Sequence, residues 1–454
     1  MSGSICIIGS GFSAASLALH LVSDGLPGDC LTIVGPGRLG SGQAYGCVAD
    51  DFRLNVRADL QRIWPDDPNH FVRWAAARLE NDHDAVTDVG TFYRRHDFAD
   101  YVEQELEACP GMASVTHRQA TATSVTAKAD GWYVELDEPA GIEAQKIILA
   151  TGNPAPDWPF PNPPQDSPTL IRSPWKGDWP SDIAADSDIL VIGGGLTALD
   201  ALHILHRRGH AGRITLVTPE GMLPPVQTDW QDAPSLDWPD HLRGSGFLRF
   251  MRQSVNDGDW SQTEWQRRFE GLRINISTVW RRLPPADQQR LLRRVGWLWS
   301  LARFRAGPQP IASAEAMLTS GQLTIIADRV VGLSTAPEGR HRADLGRGDV
   351  MTADAVINCS GAGRDRLVSR LIADGVIAAH SAMKQRPAVT SKLALLRADH
   401  TPHDRLFALG PVTAHAYGDV IGAATISRQA QLLAGMILKQ RGPRITGQTG
   451  KRTP

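Results

Sequence analysis

The chain of 454 residues contains one glycine pattern twice, as ICIIGSGFSAASLAL at residues 5–19 and as ILVIGGGLTALDAL at 189–202. In each copy an apolar strand, a glycine turn and an apolar helix follow one another. Gly9 and Gly193 would make the sharp turn, and Gly11 and Gly195 would let a pyrophosphate approach the N-terminus of the helix. One such pattern is weak evidence, because these turns also occur without a ligand. Two copies one domain apart predict two dinucleotide-binding units.

Two more apolar strands end in small-residue turns, KIILATGNPAP at residues 146–156 and AVINCSGAG at 355–363. Such a turn lets backbone approach a flat or anionic ligand, or is simply a tight strand exit. The order along the chain favours the first interpretation. The chain has the first fingerprint, the ATG turn, the second fingerprint, the NCSG turn and then LFALGP at 406–411. This is the order of flavoproteins in which a nicotinamide-binding domain interrupts an FAD-binding domain.

Several longer blocks carry a resemblance to a known family. They include GSGQAYG at 40–46, RLNV at 53–56, WPDDPNHFVRW at 64–74, GGGLTALD at 193–200 and ISRQAQLLA at 426–434. The chain resembles the FAD/NAD(P)-binding flavoproteins that include flavin-dependent urate hydroxylase and, more distantly, amine N-hydroxylases. The resemblance implies an α/β fold with two Rossmann-like dinucleotide-binding domains, a discontinuous FAD domain and a mostly helical insert.

The fingerprints and the resemblance together give a set of cofactor-binding residues for FAD and NAD(P)H. These are Gly9, Gly11, Ser13, Ala14, Gln43, Tyr45, Asn55, Arg95, Thr151, Gly152, Gly193, Gly195, Leu196, Thr197, Glu220, Gly361, Gly410 and Pro411. Ala14 fills the third fingerprint position, where a small side chain lets helix and strand touch. Arg95 would face an FAD phosphate or lie on the surface as an ordinary arginine.

The motifs also divide the chain. We expect residues 1–155 and 355–440 to form the FAD domain, 184–354 the NAD(P)H domain with a helical insert at 222–320, and 441–454 a flexible tail. The proline-rich segment at 157–180 would connect the domains. In the insert, Leu291, Val295, Leu298 and Ala302 mark one helical face. Its arginines could suggest a membrane-surface helix; they are Arg281, Arg282, Arg293, Arg294, Arg303 and Arg305. A solvated face of a helix packed on the Rossmann core is favoured, because the apolar stripe needs a partner and the protein is neutral overall.

Composition excludes several other classes of protein. A formal net charge of −2 gives no reason to expect a nucleic acid or an anionic membrane as partner. The five cysteines contain no close pair, which disfavours disulfide-reductase chemistry, and no His/Cys cluster has metal-ligand spacing. Without a signal peptide or spanning segment, the expected location is the cytoplasm. The oligomeric state cannot be read from the sequence.

Three departures from the family pattern affect cofactor and substrate. Gly35 stands where an acidic residue normally holds the FAD ribose, and Glu220 stands where arginines normally receive the 2′-phosphate of NADPH. Glu220 therefore predicts better use of NADH, unless Arg207, Arg208 or Arg213 restores NADPH binding. WSLARFR at 299–305 replaces a histidine-bearing block of the family, which leaves the substrate open.

The resemblance implies that NAD(P)H reduces FAD and that oxygen then gives a flavin hydroperoxide, which hydroxylates a small, nitrogen-containing substrate. His415 and Asp419, in the loop after LFALGP, would handle protons or contact substrate, or would be ordinary loop residues. Two alternatives stay open: a flavin reductase or dehydrogenase that inserts no oxygen, and a nucleotide-binding protein that has lost turnover.

Overall fold

The computed structural model describes residues 4–46, 51–230, 232–240, 242–256, 263–418 and 422–440. The tail at 441–454 and Asp419 lie outside these residues. Within them, no helix is both long and apolar enough to cross a membrane.

The strands of these described stretches follow in chain order. They are β1 (Ile5–Ile8), β2 (Leu31–Val34), β3 (Val86–Thr87), β4 (Gly90–Thr91), β5 (Thr116–Arg118), β6 (Ala122–Lys128), β7 (Gly131–Leu136), β8 (Ile142–Ala144), β9 (Lys146–Leu149), β10 (Leu170–Ile171), β11 (Ile189–Ile192), β12 (Ile214–Thr218), β13 (Leu323–Ala327), β14 (Val330–Thr335), β15 (His341–Leu345), β16 (Val350–Ala353), β17 (Ala355–Asn358), β18 (Ala394–Leu396) and β19 (Pro402–Ala408).

The helices of the same stretches are α1 (Phe12–Ser23), α2 (Gly42–Tyr45), α3 (His70–Ala75), α4 (Arg95–Ala108), α5 (Leu196–Arg207), α6 (Gly244–Val255), α7 (Thr263–Arg282), α8 (Pro285–Arg303), α9 (Pro308–Thr319), α10 (Arg366–Ala373), α11 (Ala414–Tyr417) and α12 (Ala423–Lys439).

Two sheets organise the chain. The first has the order β18-β19-β9-β1-β2-β5 and is parallel except for β18, and the second has the order β10-β17-β11-β12-β13 and is parallel throughout. Both fingerprint strands, β1 and β11, are central and buried along their whole length. Continuous apolar runs such as ICII and ILVI are typical of parallel strands covered on both faces. The predicted α/β fold class with two Rossmann-like units is confirmed.

The two units share a plan that the sequence did not reveal. A three-stranded antiparallel sheet, β6-β7-β8, leads into β9 in the first unit, and β14-β15-β16 leads into β17 in the second. Each of these strands, β9 and β17, then pairs in parallel with its fingerprint strand.

The domain boundary predicted at residue 355 is wrong by one strand. β17 pairs with β10 and β11, so the NCSG turn belongs to the second sheet, and the first sheet resumes only with β18 and β19. The second sheet also begins earlier than residue 184, because β10 is its edge strand. An apolar strand carries no mark of the sheet it joins, and only the pairing partner assigns it.

The insert is mostly helical, as predicted, but its last helix has a different position. Helices α6, α7 and α8 pack on one another around Phe247, Leu272 and Leu291. Helix α9 instead packs on α5, where Ala314 and Met317 join the core of the second unit. The insert proper therefore ends near residue 304.

Candidate functional site

The first glycine turn leaves a helix N-terminus open. Gly9 has φ 123°, and a Cβ there would lie 2.1 Å from the carbonyl oxygen of Ala150, at the exit of β9. A Cβ on Gly11, which caps α1, would meet only the Cα of Gly42, at 3.5 Å. Gly9 is thus required by the packing of the protein itself. Gly11 leaves space that a ligand can use, beside backbone N–H groups that attract an anion.

The second turn repeats this construction. Gly193 has φ 104°, and a Cβ there would lie 2.5 Å from the carbonyl oxygen of Cys359, at the exit of β17. Gly195 caps α5, and a Cβ there would have nothing within 4 Å. The ATG turn therefore completes the first site and the NCSG turn completes the second.

Both turns open into one cleft of about 2360 Å³. Single-ligand sites reach only about 1,000 Å³, so this cleft has room for more than one ligand. Most of the predicted cofactor residues line it. They are Gly9, Gly11, Ser13, Gln43, Tyr45, Asn55, Arg95, Thr151, Gly152, Gly193, Gly195, Leu196, Thr197, Glu220, Gly361 and Pro411. The residues present fit two dinucleotides, because the glycine at each helix N-terminus, Gly11 or Gly195, leaves open space that a side chain at that position would occupy.

Two predicted residues lie behind the cleft wall. Ala14 is fully buried in the core between α1 and the first sheet. Gly410 has φ 79°, and a Cβ there would lie 2.3 Å from the Oγ of Ser13. Both are required for close packing, and Pro411 is the residue of that turn that lines the cleft.

The missing acidic residue after β2 has a steric explanation. A Cβ on Gly35 would lie 2.5 Å from the backbone nitrogen of Ser10, in the first glycine turn. The hydroxyl of Ser10 also donates to the carbonyl oxygen of Pro36, 2.8 Å away. The loop after β2 is therefore held against the turn too closely for any side chain at position 35.

In the second unit, the ends of two neighbouring strands carry opposite charges. Glu220 follows β12, Arg329 follows β13, and both line the cleft. The predicted alternatives for NADPH binding do not line it. Arg207 and Arg208 pair with Asp51, and Arg213 pairs with Asp188. Arg329, which the sequence motifs did not indicate, is a cation of the cleft wall at the end of β13, the strand that pairs with β12.

A buried ion pair joins the two units. Nη2 of Arg95, at the start of α4, donates to Oδ2 of Asp200 in α5, 2.9 Å away. The guanidinium also lies 4.5 Å from the ring centre of Trp175, and Nδ2 of Asn55 lies 3.4 Å from the same carboxylate oxygen. The structure therefore gives Arg95 a protein partner, and its contact with an FAD phosphate stays a prediction.

Asp200 is a further residue of the cleft that the sequence motifs did not indicate. Its side chain is 1% exposed, and it is a charged residue within the otherwise apolar stretch LTALDAL. Burial raises the pKa of this carboxyl, while Arg95 and Asn55 oppose that shift. A charge in an apolar helix face was the available signal.

The predicted catalytic role of His415 has no support in the geometry. Its Nε2 donates to the carbonyl oxygen of Pro387, 2.6 Å away, and its own carbonyl accepts from Nε1 of Trp280 in the insert. Burial, with the neighbouring His380, lowers the pKa of His415 to about 3. His415 is neutral at ordinary pH and does not line the cleft. It connects α11 to α7, and Asp419 stays a prediction.

The insert contributes a wall of the cleft. Ile274 and Trp297 line it and are 62% and 42% exposed, respectively. In the same wall, Glu270 accepts from Arg273 and from Arg305, whose guanidinium lies 4.8 Å from the ring centre of Trp230. Arg305 is buried, so the prediction of a solvated position is wrong for this arginine.

Thiol and metal chemistry have no evident site among the described residues. The four cysteines placed there are unpaired, and burial raises the pKa of the Cys359 thiol, which lines the cleft. A high thiol pKa leaves little thiolate to act as a nucleophile. In the same stretches, no group of three or more His, Cys, Asp or Glu residues is arranged to hold a metal ion.

Comparisons with known proteins agree with this architecture. Residues 6–154 match a family model described as FAD-NAD(P)-binding. No curated protein matches the chain.

Solved structures match over almost the full length at low identity. The ornithine N-hydroxylase KtzI of Kutzneria sp. 744 has a TM-score of 0.65 at 15% identity, covering 97% of this chain and 100% of that one. The ornithine hydroxylase PvdA of Pseudomonas aeruginosa has 0.65 at 14%, covering 97% and 99%. The cadaverine monooxygenase DfoA of Erwinia amylovora has 0.64 at 13%, covering 99% and 98%. The chain therefore has the two-unit fold of the FAD/NAD(P)-binding flavoproteins.

Proposed function

We propose that this protein is an FAD-dependent, NAD(P)H-using monooxygenase that hydroxylates a small nitrogen-containing molecule. The observation that carries the proposal is the shared cleft, into which the helix N-termini at Gly11 and Gly195 both open. Two dinucleotides bound there would meet between the two sheets, as hydride transfer from one to the other requires.

The choice of monooxygenase is supported by the structural neighbours. KtzI is described with reduced FAD, NADP+ and L-ornithine, and DfoA is described as bound to FAD. The resemblance to urate hydroxylase also implies a nitrogenous substrate, and urate is one candidate. In the proposed reaction a substrate R–H, whose reacting hydrogen is on nitrogen or on carbon, combines with O₂, NAD(P)H and a proton to give R–OH, water and NAD(P)+.

The protein's own residues bind, orient and exclude water. Bound FAD would supply hydride acceptance and oxygen activation. Gly11 and Gly42 approach each other closely enough to hold a pyrophosphate at α1, and Gly195 leaves the same space at α5. Ile274 and Trp297 offer apolar surface that a substrate or cofactor would cover. No protein nucleophile is required, consistent with the buried thiol of Cys359.

Anaerobic and aerobic assays of FAD-loaded protein test the proposal. NADH or NADPH should bleach the visible flavin absorbance without oxygen. With oxygen, the correct amine, amino acid or purine should give hydroxylated product containing one atom from labelled O₂ per NAD(P)H consumed. The Gly195→Asp variant, loaded with FAD, is the matched control and should not be reduced.

The same assays separate the alternatives. Flavin reduction with an oxidised product that contains no atom from O₂ would identify a reductase or dehydrogenase. Absence of flavin reduction by either nucleotide would contradict both enzymatic functions and leave a nucleotide-binding protein without turnover.

A further inference from the structure

Two unsatisfied acceptors lie on neighbouring residues at the boundary between the two units. Oδ1 of Asp200 and Oδ1 of Asn55 are both buried and have no hydrogen-bond partner. Their residues are neighbours, joined by the contact of Asn55 Nδ2 with the other carboxylate oxygen of Asp200. A buried acceptor without a donor is costly, so such a pair in a binding cleft indicates a ligand that donates.

The position of Asp200 relates this pair to the second dinucleotide site. Asp200 lies one turn after Leu196 in α5, so both side chains occupy the same helix face, and both line the cleft. The N-terminus of that helix, at Gly195, is the open cradle for a pyrophosphate. Across the boundary, Asn55 and Arg95 of the first, FAD-binding unit both contact Asp200.

Charge and partners keep these two atoms as acceptors. Burial raises the pKa of the Asp200 carboxyl, but Arg95 opposes that shift by donating to Oδ2, and this ion pair favours Oδ1 as an acceptor. Asn55 directs its amide nitrogen at Asp200, so its oxygen is the atom left over. Two adjacent acceptors are complementary to a group with two N–H donors on one atom.

We propose that Asn55 and Asp200 form a carboxamide-recognition subsite, which binds the amide N–H groups of the nicotinamide ring and so orients that ring toward the FAD-binding unit. The inference rests on the proposed use of NAD(P)H and deepens it. Arg95 acts as a positioning residue, because it donates to the carboxylate, and Trp175 packs against its guanidinium.

Ligand analogues test the subsite directly by calorimetry on FAD-loaded protein. The ligands are NAD+ or NADP+, whichever binds more tightly, its 3-acetylpyridine analogue, and the corresponding ADP-ribose without the ring. The acetyl analogue keeps the carbonyl and replaces the amide nitrogen by a methyl group. Loss of two hydrogen bonds to buried acceptors, one of them charged, should weaken binding of the analogue by about tenfold or more.

Two variants localise the effect. In Asp200→Asn, the amide oxygen must face Arg95, which turns the amide nitrogen toward the ligand as a donor. The preference for the carboxamide over the acetyl nucleotide should fall to about one, with ADP-ribose affinity unchanged. Asn55→Ala should reduce the preference partially.

The matched control is Asp82→Asn, which breaks another buried pair. Asp82 binds Arg53 at 2.6 Å, their side chains are 4% and 7% exposed, and neither residue lines the cleft. This variant should lose stability and keep the wild-type preference between ligands.

The outcomes are distinguishable. Equal affinity of wild type for the carboxamide and acetyl nucleotides would overturn the subsite, and so would a wild-type preference retained in Asp200→Asn. If the FAD-loaded protein binds neither the dinucleotides nor ADP-ribose, the proposed function itself fails.

Discussion

Acidic substitutions at the two helix caps should separate ligand binding from folding. In Gly11→Asp and Gly195→Asp the new side chain meets no protein atom closer than 3.5 Å from its Cβ. Both positions have extended backbone with φ of −80° and −87°, which any residue adopts. Aspartate is also a better helix N-cap than glycine, by a few tenths of a kcal/mol. We therefore expect the ligand-free variants to be as stable as the wild type.

Binding should respond very differently. A carboxylate about 4 Å from a phosphate, at an effective dielectric constant of about 20, is repelled by about 4 kcal/mol per pair of unit charges. Since 1.4 kcal/mol is a factor of ten, Gly11→Asp should weaken FAD binding by about a thousandfold or more. Gly195→Asp should retain FAD and lose NAD(P)H binding to a similar extent.

The assay combines thermal unfolding of the apoprotein with titration of FAD and of ADP-ribose. Gly9→Ala and Gly193→Ala are the contrasting controls, because their Cβ atoms would lie 2.1 Å and 2.5 Å from backbone oxygens. Those two should lower the unfolding temperature without any ligand. Normal FAD affinity in Gly11→Asp, or a large loss of stability in either aspartate variant, would refute the reasoning.

Three further predictions concern specificity and stability. Glu220→Arg should shift cofactor preference toward NADPH, measured as relative rates of flavin reduction, and an unchanged preference would mean that Glu220 does not face the adenosine ribose. Burial lowers the pKa of His415 to about 3 and that of His203, in α5, to about 4, so between pH 4 and 6.5 both should be neutral when folded and protonated when unfolded. Unfolding free energy should therefore fall as pH drops from 6.5 toward 4, by up to about 1.4 kcal/mol per pH unit for each histidine, and the slope should be shallower in His415→Gln. Arg305→Met should cost up to about 3 kcal/mol, because the partly buried Glu270 keeps only Arg273 as a partner. Arg305→Met/Glu270→Leu should recover much of that loss in denaturant unfolding, and equal losses in both variants would contradict this.

The features that the sequence predicted best are local. Each fingerprint encodes its strand, turn and helix within fifteen residues, and Gly9, Gly11, Gly193 and Gly195 lie where the pattern predicts. One helix of the insert, α8, was also readable, because the apolar spacing of Leu291, Val295, Leu298 and Ala302 is a short-range signal.

What the sequence could not predict depends on partners far along the chain. From its position in the loop, His415 was predicted to be available for catalysis, but its ring donates to the carbonyl of Pro387 and its own carbonyl accepts from Trp280. Arg95 looked like a phosphate ligand, and its partner Asp200 lies in another domain. The NCSG turn could have been assigned to the second unit from order alone, because each fingerprint is followed by one such turn. In the structure, Gly193 lies against Cys359 just as Gly9 lies against Ala150.

The interleaving of the two sheets has a consequence for biosynthesis. Strand β19 pairs Leu406 with Ile147 of β9, and every strand of the second sheet is translated between them. At about 5–20 residues per second, the ribosome needs on the order of 10–50 s to cover that interval. Throughout it the β9 edge is unpaired, and an unpaired edge invites aggregation. We expect the second unit, whose strands are all translated before β19, to fold first on the emerging chain. Flavin loading would then be a late step of maturation.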